Sequence, residues 1–197
     1  MPQGETENNT VTKALLALGA NLSTITGRID ATLERALSEI QCESTQICRT
    51  SSFYHSPAFP AGSGPDFVNA AAEIETELGP EALLDRLHRI EAALGRERRK
   101  RWGARVIDLD LLAYGDMVLP DATTQAHWRE LDLETQMVRA PERLILPHPR
   151  MQDRAFVLIP LAEIAPDWRH PLLGLSVAEM AAALPEEART GVSPIGS

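Results

Sequence analysis

The stretch RVIDLDLLAY, residues 105 to 114, alternates aliphatic and acidic side chains through its first half. In a strand, successive side chains point to opposite faces. Val106, Asp108, Asp110 and Leu112 therefore share one face, and Ile107, Leu109, Leu111 and Ala113 share the other. The second face is plain core. The first sets two carboxylates side by side, with Cα atoms roughly 7 Å apart along the strand. The segment demands a sheet with one apolar face, and something on the other face that answers two neighbouring negative charges.

The segments around it supply the sheet. KALLALGANL reads as a short buried strand over residues 13 to 18 that leaves through Gly19 into a loop. A helix follows from about Thr26 to Ile40, its stripe being Ile29, Leu33, Ala36, Leu37 and Ile40, spaced as one helical face requires. TQICRTSSFYHS is rich in Thr, Ile, Phe and Tyr and reads as a strand. SPAFPAGSGPD is an irregular loop, because its prolines and glycines forbid regular pairing. FVNAAAEIETEL is the next strand. The helix PEALLDRLHRIEAAL carries Pro80 in its first turn and stops at Gly95, with Leu83, Leu84, Leu87, Ile90 and Leu94 as its buried stripe. The acid-bearing strand comes next, then a turn at Gly115-Asp116.

That order is β-α-β-β-α-β. It predicts an α+β fold, the ferredoxin-like split unit, with helices on one face of an antiparallel sheet and a C-terminal extension. Residues 121–142 have helical composition but little periodicity and read as an insertion. ERLILPHPRMQDRAFVLIPLAEIAPDW supplies an extended piece, a proline-bounded turn and a helix or helical turn; SVAEMAAAL is a final small helix. The expected division is a disordered tail over 1–12, one domain over 13–185 and a tail over 186–197, since 197 residues suit one sizeable core.

Composition narrows the function classes. Hydrophobic residues make up 44% and charged residues 24%, as in an ordinary globular protein. No apolar run approaches the ~20 residues that cross a bilayer, and MPQGETENNT lacks a signal peptide's basic and apolar regions, so a cytoplasmic protein away from membranes is expected. Cys42 and Cys48 fit no zinc pattern. The net charge of −9 conceals one basic window: Arg96, Arg98, Arg99, Lys100, Arg101 and Arg105, opposed only by Glu97. An acidic body with a single basic loop repels long polyanions yet can grip a small one, which favours a nucleotide or phosphate over nucleic acid.

Three answers to the paired aspartates stand open. The sheet face is solvated there, or the acids pair with arginines such as Arg105, or they hold a divalent cation. Hard oxygen ligands suit Mg²⁺, which keeps several waters and takes its remaining ligands from substrate phosphates. The basic run reads by composition as a solvated face or a nucleic-acid patch. Beside the aspartates, a triphosphate satisfies both features together: the cation bridges carboxylates to phosphate, and guanidinium groups bind the remaining oxygens bidentately.

RWGARVIDLDLL closely resembles the signature of the 6-hydroxymethyl-7,8-dihydropterin pyrophosphokinase family. LGANL, SSFYHSPAF, PDFVNAAAEIET, LHRIEAALGRER and LPHPRMQDRAFVLIPLAEIAP agree in order, over roughly residues 13 to 170. The resemblance implies a ferredoxin-like fold and transfer of pyrophosphate from ATP to 6-hydroxymethyl-7,8-dihydropterin in folate biosynthesis, with release of AMP. It implies two Mg²⁺ ions on Asp108 and Asp110, and phosphate binding by Arg96, Arg105, Arg98 and Arg99. His88, Glu91, Arg101, Trp102, His148 and Arg154 would lie by the nucleotide. Asn69 would bond the pterin's edge, its amide able both to donate and to accept. Ser56, Pro57, Phe59 and Phe67 would line the pterin pocket. Phe156 would stack on the ring, with Phe53 or Trp102 closing the far side.

Phe67 stands where the family often has Tyr, keeping the ring without the hydroxyl, and the insertion over 121–142 is longer than the usual connection. Taken singly, Asn69 also suits a strand end, Phe156 a core position and His148 a plain loop. Two other functions compete. One is a different Mg²⁺-dependent phosphoryl or nucleotidyl transferase on the same fold. The other is a small RNA-binding module, which would need exposed aromatics where this sheet face carries acids. The expected partners are the two small substrates, with the chain a monomer or weak homodimer.

Overall fold

A computed structural model of the chain describes residues 10–22, 28–58, 64–96 and 106–196. Strand β1 (Thr12–Ala20) is buried from Ala14 to Leu18 without a break, as a central strand covered on both faces must be. Helix α1 (Ile29–Ile40) follows, then β2 (Thr45–Thr50) and β3 (Tyr54–Ser56), then β4 (Phe67–Thr76). Helix α2 (Pro80–Ala93) leads to β5 (Asp108–Tyr114). The sheet order is β5-β1-β4, and β2 and β3 share the outer edge of β4; every pairing among these strands is antiparallel.

TQICRTSSFYHS thus forms two short strands where one was expected. Between them Ser51 bonds to Ala71 through both its amide and its hydroxyl. Strand β1 also runs past the expected exit, so that Gly19 lies inside the register, opposite both Asn69 and Asp108.

Helices α1 and α2 cover one face. Leu33, Ala36 and Ile40 of α1, and Leu83, Leu87 and Ile90 of α2, pack on Leu16, Leu18, Ala72, Ile74, Leu109 and Leu111. Ile29, Leu37, Leu84 and Leu94 flank them half-buried, so both predicted stripes are realised. Each fully buried leucine there contributes about 1.5–3 kcal/mol. Gly95, at φ 96°, ends α2 in a backbone region that only glycine adopts cheaply.

The other face is not bare, which corrects the expectation of helices on one side. After α3 (Ala122–Glu130) and α4 (Leu133–Val138), a 3-10 turn over Met151–Asp153 delivers α5 (Ala155–Ile164) onto that face. With α6 (Val177–Ala183) it buries Leu15, Ala17, Ala71, Leu112 and Ala113. α5 is apolar nearly all round, with six of its ten residues buried, so no single stripe marked its face. A bulge between Leu15 and Leu16 of β1 shifts the register against β5. It turns Ala113 to the α5 side and Tyr114 to the α2 side, so strict alternation fails after Leu112.

Two further differences lie outside the sheet's centre. The 121–142 segment is helical, its helices capped by the side chains of Asp121 and Asp132, yet only Gln125 of α3 is buried. That is why periodicity was weak. Residues 186–194, read as a tail, form helix α7 (Glu186–Thr190) and strand β6 (Ser193–Pro194), which pairs with β3. No helix among the described residues is long and apolar enough to cross a membrane.

His170 is fully buried beyond α5, and its Nδ1 accepts the amides of Leu172 and Leu173 at 3.2 and 3.3 Å. Burial, aided by the nearby Arg129, holds its pKa down to about 4. The unfolded chain takes up that proton first, near pH 6.5. His170 therefore adds stability that is present above pH 6.5 and lost as pH falls towards 4, about 3 kcal/mol in all. Urea midpoints should drop between pH 6.5 and 4.5, and less steeply in His170→Asn, whose amide oxygen can still accept a backbone bond. An equal slope in that variant would reject the assignment.

Candidate active site

Asp108 and Asp110 open β5 on the face that α5 covers, at the sheet end α5 reaches with its first residues. Their side chains are 22% and 34% exposed, neither core nor fully solvated. Arg96, just beyond α2, sets its Nη1 at 2.7 Å from Asp108 Oδ1. The same nitrogen pairs with Glu91 Oε1, which also accepts the Leu109 amide at 2.8 Å. Glu91 is 1% exposed. Burial pushes its pKa up to about 7, against the pull of the Leu109 amide and Arg96. Glu91 holds Arg96 against the head of β5. On the other flank Arg154, the residue before α5, brings Nη1 to 3.8 Å from Asp110 Oδ2. Its guanidinium also lies 5.6 Å from the centre of the Phe156 ring.

His148 joins this cluster from the loop before α5. Its amide donates to Leu112 O at 2.8 Å, fastening the loop to β5. Desolvation, with Arg154 and Arg150 nearby, holds the imidazole pKa down to about 3, and Asp108 opposes them. The ring is neutral at pH 7. Its Nδ1 accepts the Arg150 amide at 3.2 Å, so the ring proton sits on Nε2. His148 offers a neutral donor beside the acids.

The register across three strands builds the rest of the site. Asp108 pairs with Gly19, Gly19 with Asn69, and Asn69 with Tyr54. Residues paired across strands share a face, so the acid and the amide stand on either side of a position without a side chain, roughly 10 Å apart over two strand spacings. Asn69 is buried, and its Nδ2 donates to Ser56 Oγ at 2.9 Å. Its Oδ1 points over Gly19, where an added Cβ would come within 3.2 Å of that oxygen and 4.0 Å of Phe67 Cδ1. The missing side chain leaves a flat floor with an acceptor at one edge and an aromatic ring beside it.

Sequence reasoning missed Gly19 because it ended the strand two residues early, at 18 rather than Ala20; a glycine inside a strand marks close approach by another group. Phe53 packs against the α1–α2 core on the far side of the sheet, whereas Phe67 stands with Asn69 and Phe156 flanks the α5 face. Ser56 is in place through Asn69, and Pro57 lies against Gly191 near the C-terminus. His88 is half-buried on α2, one turn before Glu91, along an open depression of about 480 Å³ with Asp85, Arg89 and Ala92. Phe59, Arg98, Arg99, Arg101, Trp102 and Arg105 lie outside the described residues.

Among the described residues no group of three or more His, Cys, Asp or Glu is placed to hold a metal. Two adjacent carboxylates alone make no complete cage, but they fit a cation that keeps waters and completes its shell with phosphate oxygens. Acids answered by guanidinium groups from two elements, next to a neutral amide over an apolar floor, define a site for a phosphorylated substrate beside an uncharged flat one. Residues 15–166 match the model of the 7,8-dihydro-6-hydroxymethylpterin-pyrophosphokinase (HPPK) family, and the chain belongs to that family.

The chain is 42% identical over 154 residues to the 2-amino-4-hydroxy-6-hydroxymethyldihydropteridine pyrophosphokinase of Haemophilus influenzae, covering 78% of this chain and 82% of that one. It is 38% identical over 177 residues to the Pseudomonas aeruginosa protein of the same name, covering 90% and 94%. A crystal structure of a variant Plasmodium falciparum HPPK-DHPS shares the fold at TM-score 0.69 and 16% identity, covering 98% of this chain. The present chain spans 49% of that longer protein.

Proposed function

We infer that this cluster works as a pyrophosphokinase site. The reaction is transfer of the pyrophosphoryl group from ATP to 6-hydroxymethyl-7,8-dihydropterin in folate synthesis. The pterin's hydroxymethyl oxygen attacks the β-phosphorus, the bond from that phosphorus to the α-phosphate bridging oxygen breaks, AMP leaves, and the hydroxyl proton passes to solvent. The observation that carries the reading is the row Asp108, Gly19, Asn69, which sets acids and amide on one face with a bare floor between.

Asp108 and Asp110 would hold Mg²⁺, two ions by the family resemblance. Bound there, the metal neutralises the triphosphate and lowers the hydroxyl's pKa. The protein's own groups do the positioning. Arg154, and Arg96 held by Glu91, face the phosphate oxygens, with Arg98, Arg99, Arg101 and Arg105 as the further cations. His148 donates from Nε2 to a phosphate oxygen without adding charge. Phe67 and Phe156 bracket the pterin ring, Asn69 Oδ1 accepts from its edge, and Ser56, Pro57, Phe59 and Trp102 complete the wall. Catalysis then rests on orientation and charge stabilisation, with no covalent enzyme intermediate. The strand order supports the ferredoxin-like reading of the βαββαβ core, to which α5 and α6 add the second layer. We take the chain to act in the cytoplasm as a monomer or weak homodimer.

Incubation with ATP, Mg²⁺ and the hydroxymethyl pterin should yield AMP and the pterin diphosphate. ADP as the nucleotide product would select a different phosphoryl transferase. Asn69→Ala should weaken pterin binding about tenfold or more, as loss of a buried hydrogen-bonding group does, and leave a non-hydrolysable ATP analogue bound as before. Calorimetry reads both, and equal losses would reject the pterin role.

A further inference from the structure

Within α3 only Gln125 is buried, at 0% exposure. A fully enclosed carboxamide needs partners for both ends, and it has them. Its Nε2 donates to Pro147 O at 3.1 Å, and its Oε1 accepts from Arg129 Nη1 at 3.0 Å. Pro147 directly precedes His148. The peptide joining them is therefore gripped from both sides: by β5 through the His148 amide on Leu112 O, and by α3 through Gln125. Arg129 keeps the carboxamide from turning, so the donor stays aimed at the carbonyl.

We propose that Gln125 is a positioning residue for His148, and that helix α3 of the long 121–142 segment serves to set that imidazole over the acid pair. The proposal rests on the reading that His148 meets the triphosphate. Without the Gln125 bond, the Pro147 carbonyl loses its buried donor and the peptide plane ahead of His148 is held from one side only, by Leu112 O, so that it can tilt and carry Nε2–H away from its phosphate oxygen. Contact to ATP suffers, while the pterin floor over Gly19, built on other strands, does not.

Gln125→Leu keeps the volume and removes both bonds. It should raise KM for ATP about tenfold, the weight of one well-placed hydrogen bond, with KM for the pterin unchanged. In a His148→Ala background the same change should add nothing, because the route to the substrate is already gone. A merely structural Gln125 would lower thermal stability and act equally in both backgrounds, and that result overturns the proposal, as does an unaltered KM for ATP in folded Gln125→Leu. If that variant does not fold, Gln125→Glu keeps the acceptor for Arg129 but not the donor to Pro147, and should reproduce the effect on ATP alone. If the wild-type protein makes no AMP, the pyrophosphokinase reading fails on its own. The His148 ring resonances then decide, and identical NMR shifts in wild type and Gln125→Glu sink the positioning role.

Discussion

Asp110→Asn should lower kcat for AMP formation by about three orders of magnitude, the scale expected when a preorganised charge-stabilising group is removed from a phosphoryl-transfer site. The fold should not notice. Asp110 is partly exposed, and its ion pair with Arg154 spans 3.8 Å, a contact worth little in solvent. The melting temperature should therefore move by no more than a degree or two, consistent with a change of about 0.5 kcal/mol. Asp108→Asn should cost similar activity with a different side effect. Asp108 raises the pKa of Glu91, so removing its charge makes Glu91 easier to ionise and leaves Arg96 with one full partner. Mutant kinetics with AMP as the measured product, alongside thermal melts, check both variants. Near-normal turnover in either one would remove the metal role from the pair.

How much of this was legible in the sequence varies by element. The stripes of α1 and α2 were, because each helix buries one face and leaves the other in water, so period 3.6 survives in the residues. The acid pair on β5 was legible for the same reason at period two, up to the bulge that sends Ala113 to the other side. α5 was legible as a helix but not in its face, since a helix lying on a sheet between other elements is apolar nearly all round and loses its period. Within the site, the sequence names residues carried by single segments, among them Asp108, Asp110 and Arg154. How those segments pair is not visible in it. Gly19 matters only because β1 lies between β4 and β5, and Glu91 acts through Arg96 only because α2 ends beside the head of β5. The side of the sheet that Phe53 takes is likewise set by the break between β2 and β3, which alternation does not reveal.

Gly19→Val should abolish useful pterin binding, by roughly 100-fold in affinity, the upper end of the ~1–3 kcal/mol that forced overpacking costs. A strand tolerates valine well, and Gly19 carries no positive φ, so the backbone offers no objection. The obstacle is what the side chain meets. Even a Cβ stands 3.2 Å from Asn69 Oδ1, closer than ordinary contact, and two γ-methyls fill the floor between Asn69 and Asp108. Gly19→Ala is the milder version, with a shift of a few tenths of an ångström in Asn69 and a loss of about tenfold, one step on the same scale. Stability in both is the entropy that replacing glycine saves set against the shift forced on Asn69, so the melting temperature should move by only a few degrees. Binding of a non-hydrolysable ATP analogue should change far less, since Arg154 is held at Asp110 and the His148 amide at Leu112, neither of which pairs with Gly19. The pattern separates the two halves of the site by a single position. If Gly19→Val bound the pterin as tightly as the wild type, the ring could not lie on that floor. If it lost nucleotide and pterin together, the floor would belong to the triphosphate instead.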